Sequence, residues 1–248
     1  MRLHETSASQ GNWLFRWRSY LPLCLIVVII PGILHFHYLG SSHFYDLILE
    51  VVCLAISMTG LFVRCLTVGY VPKGTSGRNT TGQIAESLNT TGAYSLLRNP
   101  LYLGNYLMML GVIMMISSDA WWLPLIFTLA FWLYYERIIM AEEAFLSEKF
   151  GDEYLEYAAK IPAILPRFRN WHKPNLTFSF RTVLRREYSS LFALISAMFI
   201  VEVVGDFVVK EKLYFDPVWL VLFFVTAILY FTLRTLKKTT TLLHVDGR

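Results

Sequence analysis

Long apolar stretches constrain the fold of this chain more than any other feature of its sequence. Six of them approach the roughly 20 mainly apolar residues that a helix needs to cross a hydrocarbon core of about 30 Å. The six are Leu21–Leu39, Phe44–Val63, Leu101–Ile116, Trp121–Tyr135, Tyr188–Val209 and Pro217–Leu233. Charged residues make up only 16% of the 248 residues, which excludes an ordinary soluble protein. The sequence therefore predicts an all-α protein with about six transmembrane spans.

The third and fourth stretches are short and are separated only by Ser117–Ala120. We expect them to form a tight helical hairpin. Two longer polar segments, 64–99 and 136–187, connect other pairs of stretches. Because every other connection is short, any functional site is expected in these two segments and in the helix ends beside them.

The distribution of basic residues predicts the orientation in the membrane. With six spans and an internal N-terminus, the inner segments hold 20 of the 22 Lys and Arg residues, all except Lys210 and Lys212. Positive charge concentrates in cytoplasmic loops. We therefore expect both termini and both polar segments to be cytoplasmic, in a protein that has the membrane as a partner. No nucleic-acid partner is expected, and the oligomeric state is left open.

The first polar segment begins with a loop, 73–82, that is rich in glycine, hydroxyl and amide groups. Lys73 and Arg78 in this loop could hold an anion. The loop lacks the order of residues found in a phosphate-binding P-loop. A solvated connector and a ligand-contacting loop therefore both remain open.

The end of the same segment, Arg98–Asn105, combines helix-start chemistry with polar residues at membrane depth. Asn99 and Pro100 suit the N-cap and the first turn of a helix. Gly104 would permit close approach of a neighbouring helix, and Asn105 would lie about one turn into the membrane. Helix initiation alone does not account for these last two residues.

The second polar segment predicts a helix that leaves the membrane and continues into the cytoplasm. Glu142 and Glu143 lie on this continuation. Alternating aromatic and charged residues follow in Phe150–Tyr157, and then Pro162 and Pro166. This pattern favours an amphipathic interfacial helix followed by an extended stretch.

In this order, the residues resemble the isoprenylcysteine carboxyl methyltransferase and phospholipid methyltransferase family. The matching residues, spread from Gly92 to Pro166, are Gly92, Tyr94, Arg98-Asn99-Pro100, Tyr102, Gly104, Glu142-Glu143, Leu146, Phe150-Gly151, Tyr154 and Tyr157. Each piece is weak alone, and the ordered set is specific. The family usually has His where this chain has Asn99. Asn cannot titrate near neutral pH, so the resemblance implies no proton-carrying role for that position.

The resemblance implies S-adenosylmethionine as methyl donor, a helical-hairpin catalytic core and a lipid or lipidated acceptor. By position, the residues expected to contact or shape the cofactor pocket are Tyr94, Arg98, Asn99, Pro100, Tyr102, Leu103, Glu142 and Glu143. The catalytic assignments are Arg78, Arg98, Asn99 and Glu143, and those for the acceptor are Lys73, Arg78, Asn105, Arg181 and Arg185. The implied domains are 1–91 (N-terminal helices and loop), 92–170 (methyltransferase-like core) and 171–248 (basic linker and two spans).

The chemistry of the core favours an anionic acceptor. All six histidines and all three cysteines lie outside 92–166. An amine acceptor must lose a proton and would want a nearby base. A phosphate or carboxylate is already ionised and needs mainly positioning and charge complementarity. The loop and the Arg98–Asn105 run look most like bacterial members, which points to a lipid phosphate such as that of lipid A, in a bacterial inner membrane.

Two other functions remain open. Membrane sterol reductases resemble this family near their C-termini and use NADPH, although here two further stretches follow the matching block. A membrane protein that binds a lipid without catalysis is the other alternative. The bound cofactor would distinguish the three functions.

Glu202 and Asp206 lie four residues apart in the fifth apolar stretch and therefore share a helix face. Acidic groups inside a membrane are costly and often functional. We expect the last two helices to shape an acceptor groove or an oligomer contact.

Overall fold

A computed structural model describes Trp13 and residues 26–75, 85–116 and 122–248. Within these ranges the chain forms α-helices, short 3₁₀ turns and connecting segments, with no β-strand. The helices are α1 (Ile26–Leu34), α2 (His43–Tyr70), α3 (Ala93–Leu96), α4 (Pro100–Met115), α5 (Trp122–Phe150), α6 (Asp152–Lys160), α7 (Phe180–Lys210) and α8 (Pro217–Thr239). The predicted all-α fold is confirmed for the described residues.

Four of these helices, α2, α5, α7 and α8, are long and apolar enough to cross a membrane. They contain the predicted second, fourth, fifth and sixth stretches, apart from Trp121, which lies outside the described residues. The prediction of a multi-span membrane protein is therefore confirmed.

The first and third predicted stretches are represented by shorter helices. With 16 residues, α4 has a length of about 24 Å, somewhat less than the hydrocarbon core. For the first stretch the structure describes α1, which contains Pro31. Its earlier part, 21–25, and the predicted hairpin turn Ser117–Ala120 lie outside the described residues.

Glycines bring α2 and α4 into close contact. A Cβ atom added at Gly104 would lie 2.8 Å from the Gly60 carbonyl oxygen, and one added at Gly111 would lie 2.3 Å from the Cys53 carbonyl oxygen. The Ser57 hydroxyl also donates to the Met108 carbonyl at 2.9 Å. Small residues permit such backbone approach between membrane helices. The expected role of Gly104 in close packing agrees with this geometry.

An aromatic row on α5 connects the buried centre of the bundle with the polar end of α4. The ring centroids of Phe127 and Phe131 are 5.6 Å apart, and those of Phe131 and Tyr135 are 4.2 Å apart. Tyr135 in turn lies 4.6 Å from the ring of Tyr102 on α4. All three α5 side chains are buried. This packing fixes the position of the Tyr102 ring.

Candidate functional site

The two polar segments predicted from sequence come together in the structure. The loop before α4, the C-terminal half of α5, helix α6 and the segment that follows α6 meet at one end of the bundle. We call residues 161–172 the strap, because their backbone runs beside 92–99. The hydrogen bonds that join the loop to α6 and to the strap connect residues about 60 to 80 positions apart in the sequence.

Backbone hydrogen bonds attach the strap to the loop. The Arg98 amide donates to the Pro162 carbonyl, and the Arg167 amide donates to the Leu96 carbonyl, both at 2.9 Å. Further along, the Gly92 amide donates to the His172 carbonyl at 2.9 Å. Because each bond satisfies a backbone group that no helix satisfies, the strap holds the loop in one conformation.

Asn99 occupies the N-cap position and Pro100 begins α4, as predicted. The Asn99 side chain, however, makes no capping hydrogen bond to the first turn. Its Nδ2 atom instead donates to the Ala163 carbonyl of the strap at 3.0 Å. The strap therefore engages the side chain that would otherwise have capped the helix.

Arg98 and Glu143 form the charged centre of the site. Arg98 Nη2 lies 3.1 Å from Glu143 Oε1, and the two side chains are 17% and 28% exposed. Arg98 Nη1 also donates to the Ala158 carbonyl at 3.4 Å. Within the described part of the chain, Arg98 Nε is buried and has no hydrogen-bond partner, whereas the buried Glu143 Oε1 has the ionic contact with Arg98 Nη2 and no hydrogen bond in good geometry. Arg98 thus keeps a donor that a ligand could use.

The neighbouring carboxylate, Glu142, points to a different partner. Its Oε1 atom accepts a hydrogen bond from the Tyr102 hydroxyl at 2.7 Å. Consecutive glutamates on α5 therefore contact two elements: Glu142 contacts α4, and Glu143 contacts the loop before it.

Tyr154 and Tyr157 on α6 complete the site, although no role was predicted for them beyond the family pattern. The Tyr157 hydroxyl donates to the Tyr94 carbonyl at 2.8 Å. The Tyr154 hydroxyl hydrogen-bonds Glu143, and burial together with the charge of Glu143 raises the pKa of Tyr154. Burial likewise raises the pKa of Tyr157. Both phenols therefore remain protonated and act as hydrogen-bond donors.

A buried ionic network lies beside the site, and sequence reasoning missed it. Arg64 on α2 makes two hydrogen bonds to Glu187 on α7, from Nε at 2.8 Å and from Nη2 at 2.9 Å. Its third contact is a short hydrogen bond from Nη1 to Asn105 on α4. Asn105, predicted to contact the acceptor, thus joins three helices through Arg64. The partners are 123 and 41 residues apart, and sequence pattern does not reveal such pairs.

The structure places the other predicted residues as follows. Leu103 lies half-buried in the first turn of α4. Lys73 is exposed, and its amide donates to the Gly247 carbonyl at 2.9 Å. Arg181 is exposed at the start of α7, whereas Arg185 is half-buried and its carbonyl accepts from Lys237 Nζ at 3.3 Å. Arg78 lies outside the described residues.

His172 also lies near the site, although it was not among the predicted site residues because it lies outside 92–166. Its amide donates to the Ser95 hydroxyl at 2.9 Å, so the strap brings it to the edge of the site. The imidazole is exposed, and its Nδ1 atom hydrogen-bonds the Asn170 carbonyl at 2.7 Å. An imidazole is therefore close to the loop even though no histidine lies within 92–166.

Comparison with known proteins identifies the class. The family model described as "Phospholipid methyltransferase" matches residues 47–153. The chain is 32% identical over 163 residues to the cobalt-zinc-cadmium resistance protein CzcN of Cupriavidus metallidurans, which covers 65% of this chain and 69% of that protein. It is 34% identical over 153 residues to the nickel-cobalt-cadmium resistance protein NccN of Alcaligenes xylosoxydans xylosoxydans, covering 61% and 63% of the two chains.

A eukaryotic relative covers a shorter region. The chain is 35% identical over 79 residues to the protein-S-isoprenylcysteine O-methyltransferase of Schizosaccharomyces pombe, which covers 32% of this chain and 33% of that enzyme. The chain therefore spans from about a third to about two thirds of the length of these relatives. No solved structure matches the chain. The chain belongs to the isoprenylcysteine carboxyl methyltransferase and phospholipid methyltransferase family, as its sequence pattern predicted.

Proposed function

We propose that this protein is an integral membrane methyltransferase that uses S-adenosylmethionine and acts on an anionic oxygen of a lipid or lipidated acceptor. One observation carries the proposal: the partly buried Arg98–Glu143 ion pair, in which Arg98 Nε has no hydrogen-bond partner among the described residues, adjoins the Glu142–Tyr102 pair. Family membership supplies the class of reaction.

The charges and hydrogen-bonding groups of the site suit S-adenosylmethionine, which when bound supplies an electrophilic methyl group on a sulfonium. The Arg98 guanidinium, with its free Nε–H, suits the carboxylate of the donor. Glu142 and Glu143 suit an ammonium group or ribose hydroxyls. The aromatic faces of Tyr102 and Tyr135, 4.6 Å apart, suit a nearby cation. We further assign Tyr94, Asn99, Pro100 and Leu103 to shaping this pocket.

An anionic acceptor fits the chain because its ionised oxygen needs no general base. We assign the acceptor headgroup to Lys73, Arg78, Asn105, Arg181 and Arg185, and we retain catalytic roles for Arg78, Arg98, Asn99 and Glu143. The best candidate is a lipid phosphate such as that of lipid A. The names of the two bacterial relatives describe resistance to metals and not a reaction, so the reaction is taken from the family.

We also propose domain boundaries and a location in the membrane. We propose 92–170 as the catalytic core, because the strap, α6 and the loop are joined within it. Residues 1–91 and 171–248 would supply the remaining helices and basic segments. A cytosolic donor requires a cytoplasmic site, which agrees with the distribution of Lys and Arg. We therefore place the protein in a bacterial inner membrane with both termini inside.

Ligand binding tests the proposal first. Protein in nanodiscs is titrated with S-adenosylmethionine and, separately, with NADPH in a calorimeter. Wild type is expected to bind S-adenosylmethionine and not NADPH. Glu143→Gln is expected to weaken binding by about tenfold or more, as is usual when a hydrogen bond to a charged group is lost. Glu136→Gln is the matched control, because Glu136 is exposed on the same helix. Binding of NADPH instead would favour a reductase, and binding of neither ligand would favour a lipid-binding protein.

His172 gives a separate test of the acceptor. If the acceptor oxygen is already ionised, His172→Gln should leave the rate of methyl transfer within about twofold of wild type, since no proton needs to be removed. A loss of two or more orders of magnitude, with unchanged affinity for S-adenosylmethionine, would identify His172 as a base and contradict the anionic acceptor.

A further inference from the structure

The end of the bundle opposite the Arg98–Glu143 site contains a buried group of carboxylates. Asp46 and Glu50 lie in the first turns of α2, and Glu202 and Asp206 lie in the last turns of α7. Their exposed fractions are 4%, 6%, 4% and 1%. On α2, Asp46 is about 27 Å along the helix axis from Arg64, so this cluster is separate from the proposed active site.

The geometry of three of these side chains suits a single ion. One carboxylate oxygen each from Asp46, Glu50 and Glu202 lies within 4.8 Å of the others. Hard divalent cations bind oxygens at about 2.0–2.6 Å, so two ligands of one ion can be up to about 5 Å apart. Ligands from α2 and α7 therefore surround one position that a single cation could occupy.

If all four carboxyl groups are ionised, the cluster holds more negative charge than its described neighbours neutralise. Lys210 Nζ lies 2.8 Å from Asp206 Oδ1, and His43 lies near Asp46. Trp219 Nε1 donates to Glu50 Oε2 at 2.7 Å, which contributes no charge. Two potential cations in this part of the structure thus face four carboxylates. Buried carboxyl groups are stable only when they are protonated or when their charge is paired or bound to a metal.

Asp206 provides a second, independent indication of a ligand. Its Oδ1 atom contacts Lys210 and accepts a hydrogen bond from Tyr38. Among the residues that the structure describes, no partner donates a hydrogen bond to its buried Oδ2 atom, and the side chain is only 1% exposed. Asp206 lies one turn after Glu202, on the same face of α7, and its charge acts on both Glu202 and Asp46. A buried acceptor without a donor is costly unless a ligand satisfies it.

We propose that Asp46, Glu50 and Glu202, with Asp206 one turn further along α7, hold one hard divalent cation that joins α2 to α7. An all-oxygen, carboxylate-rich donor set favours Mg²⁺, Ca²⁺ or Mn²⁺ over softer metals. The ion would neutralise the excess charge and stabilise the packing of the C-terminal helices on α2. This inference does not depend on the proposed methyltransferase activity.

The direct test is a titration of purified protein in nanodiscs with Mn²⁺, followed by the electron paramagnetic resonance signal of free Mn²⁺. Wild type is expected to bind one Mn²⁺ per chain, and Ca²⁺ is expected to compete. Glu202→Gln and Glu50→Gln keep the side-chain shape and should each weaken binding by at least about tenfold, since even partners of a metal ligand affect affinity by that much. The matched control is Glu211→Gln, because Glu211 is exposed and directly follows α7. It should bind like wild type.

Thermal unfolding gives the second readout. Ca²⁺ should raise the melting temperature of wild type and of Glu211→Gln, and it should leave that of Glu202→Gln unchanged, because a ligand stabilises only the state that binds it. Three results would overturn the proposal. The first is that wild type shows no saturable Mn²⁺ binding. The second is that Glu211→Gln weakens Mn²⁺ binding as much as Glu202→Gln does. The third is that Glu202→Gln raises the melting temperature while metal has no effect on the melting temperature of wild type. The last result would show that the carboxylates share protons.

Discussion

The Arg64–Glu187 contact gives a quantitative prediction about how the C-terminal helices attach to the catalytic region. Glu187→Gln keeps the size of the side chain and removes its charge. Arg64 and Glu187 are only 11% and 4% exposed, so the guanidinium would remain buried beside a neutral amide. Asn105 would be the remaining oxygen acceptor among the three partners described above.

The expected loss follows from burial. Breaking a buried ion pair by removing one partner costs about 3–5 kcal/mol, because the remaining charge is uncompensated. Since Gln can still accept one hydrogen bond, we expect the lower end, about 3 kcal/mol. For a chain of this size, that corresponds to a decrease in melting temperature of at least about 6 °C.

Differential scanning fluorimetry of protein in nanodiscs measures this change. The double variant Arg64→Met with Glu187→Leu replaces the pair by apolar side chains of similar size, and it should recover most of the lost stability. Glu136→Gln serves as the exposed control on α5. A decrease below about 2 °C for Glu187→Gln, or a double variant no more stable than the single one, would refute the role of the buried pair.

Three further predictions concern packing, the site and pH. Gly111→Ala should destabilise the protein by about 1–3 kcal/mol or more in thermal unfolding, because its Cβ would lie 2.3 Å from a backbone oxygen of α2. Gly32→Ala, whose Cβ would meet flexible side-chain tips at 3.1 and 3.2 Å, should cost less, and the opposite order would contradict the packing. Tyr102→Phe should weaken S-adenosylmethionine binding by about tenfold in calorimetry, because it removes a hydrogen bond that orients Glu142; unchanged affinity would exclude that role. The raised pKa of Tyr154 and of Tyr157 means that the folded state keeps protons which the unfolded state loses above about pH 10. Their contribution to stability should therefore be constant from about pH 6 to 9 and decline above about pH 10, and a decline near pH 8 that Tyr157→Phe removes would contradict it.

The sequence was sufficient for features that depend on local pattern. The continuation of α5 beyond the membrane, a further helix that includes Asp152–Tyr157 and a non-helical stretch from Pro162 were predicted from periodicity and from the positions of prolines, and the structure has each of them. These features could be predicted because each depends on residues that are close together in the chain. The meeting of the two polar segments was implied only by the ordered family pattern.

Features that depend on distant partners could not be predicted. Asn99 suits an N-cap by its local sequence, and only the strap, 64 residues later, explains why its side chain bonds elsewhere. The bonding of the Asn105 side chain could not be predicted either, since its partner Arg64 lies on another helix. The sequence places Asp206 on the same helix face as Glu202, but it does not show that Asp206 is 1% exposed and bonded to Tyr38 on a distant segment. In each case tertiary contact determined the bonding of the polar side chain.

Transfer of a labelled methyl group from S-adenosylmethionine into the extracted lipid fraction tests the central claim most directly. Purified protein in nanodiscs made from bacterial lipids, including lipid A, is incubated with the labelled donor, and the lipids are separated and identified. The proposal predicts a labelled methyl ester of an anionic lipid with wild type and with Glu136→Gln, and at least about tenfold less label with Glu143→Gln. A labelled amine-containing lipid would contradict the anionic acceptor, and no label with any lipid, despite bound donor, would contradict a lipid methyltransferase.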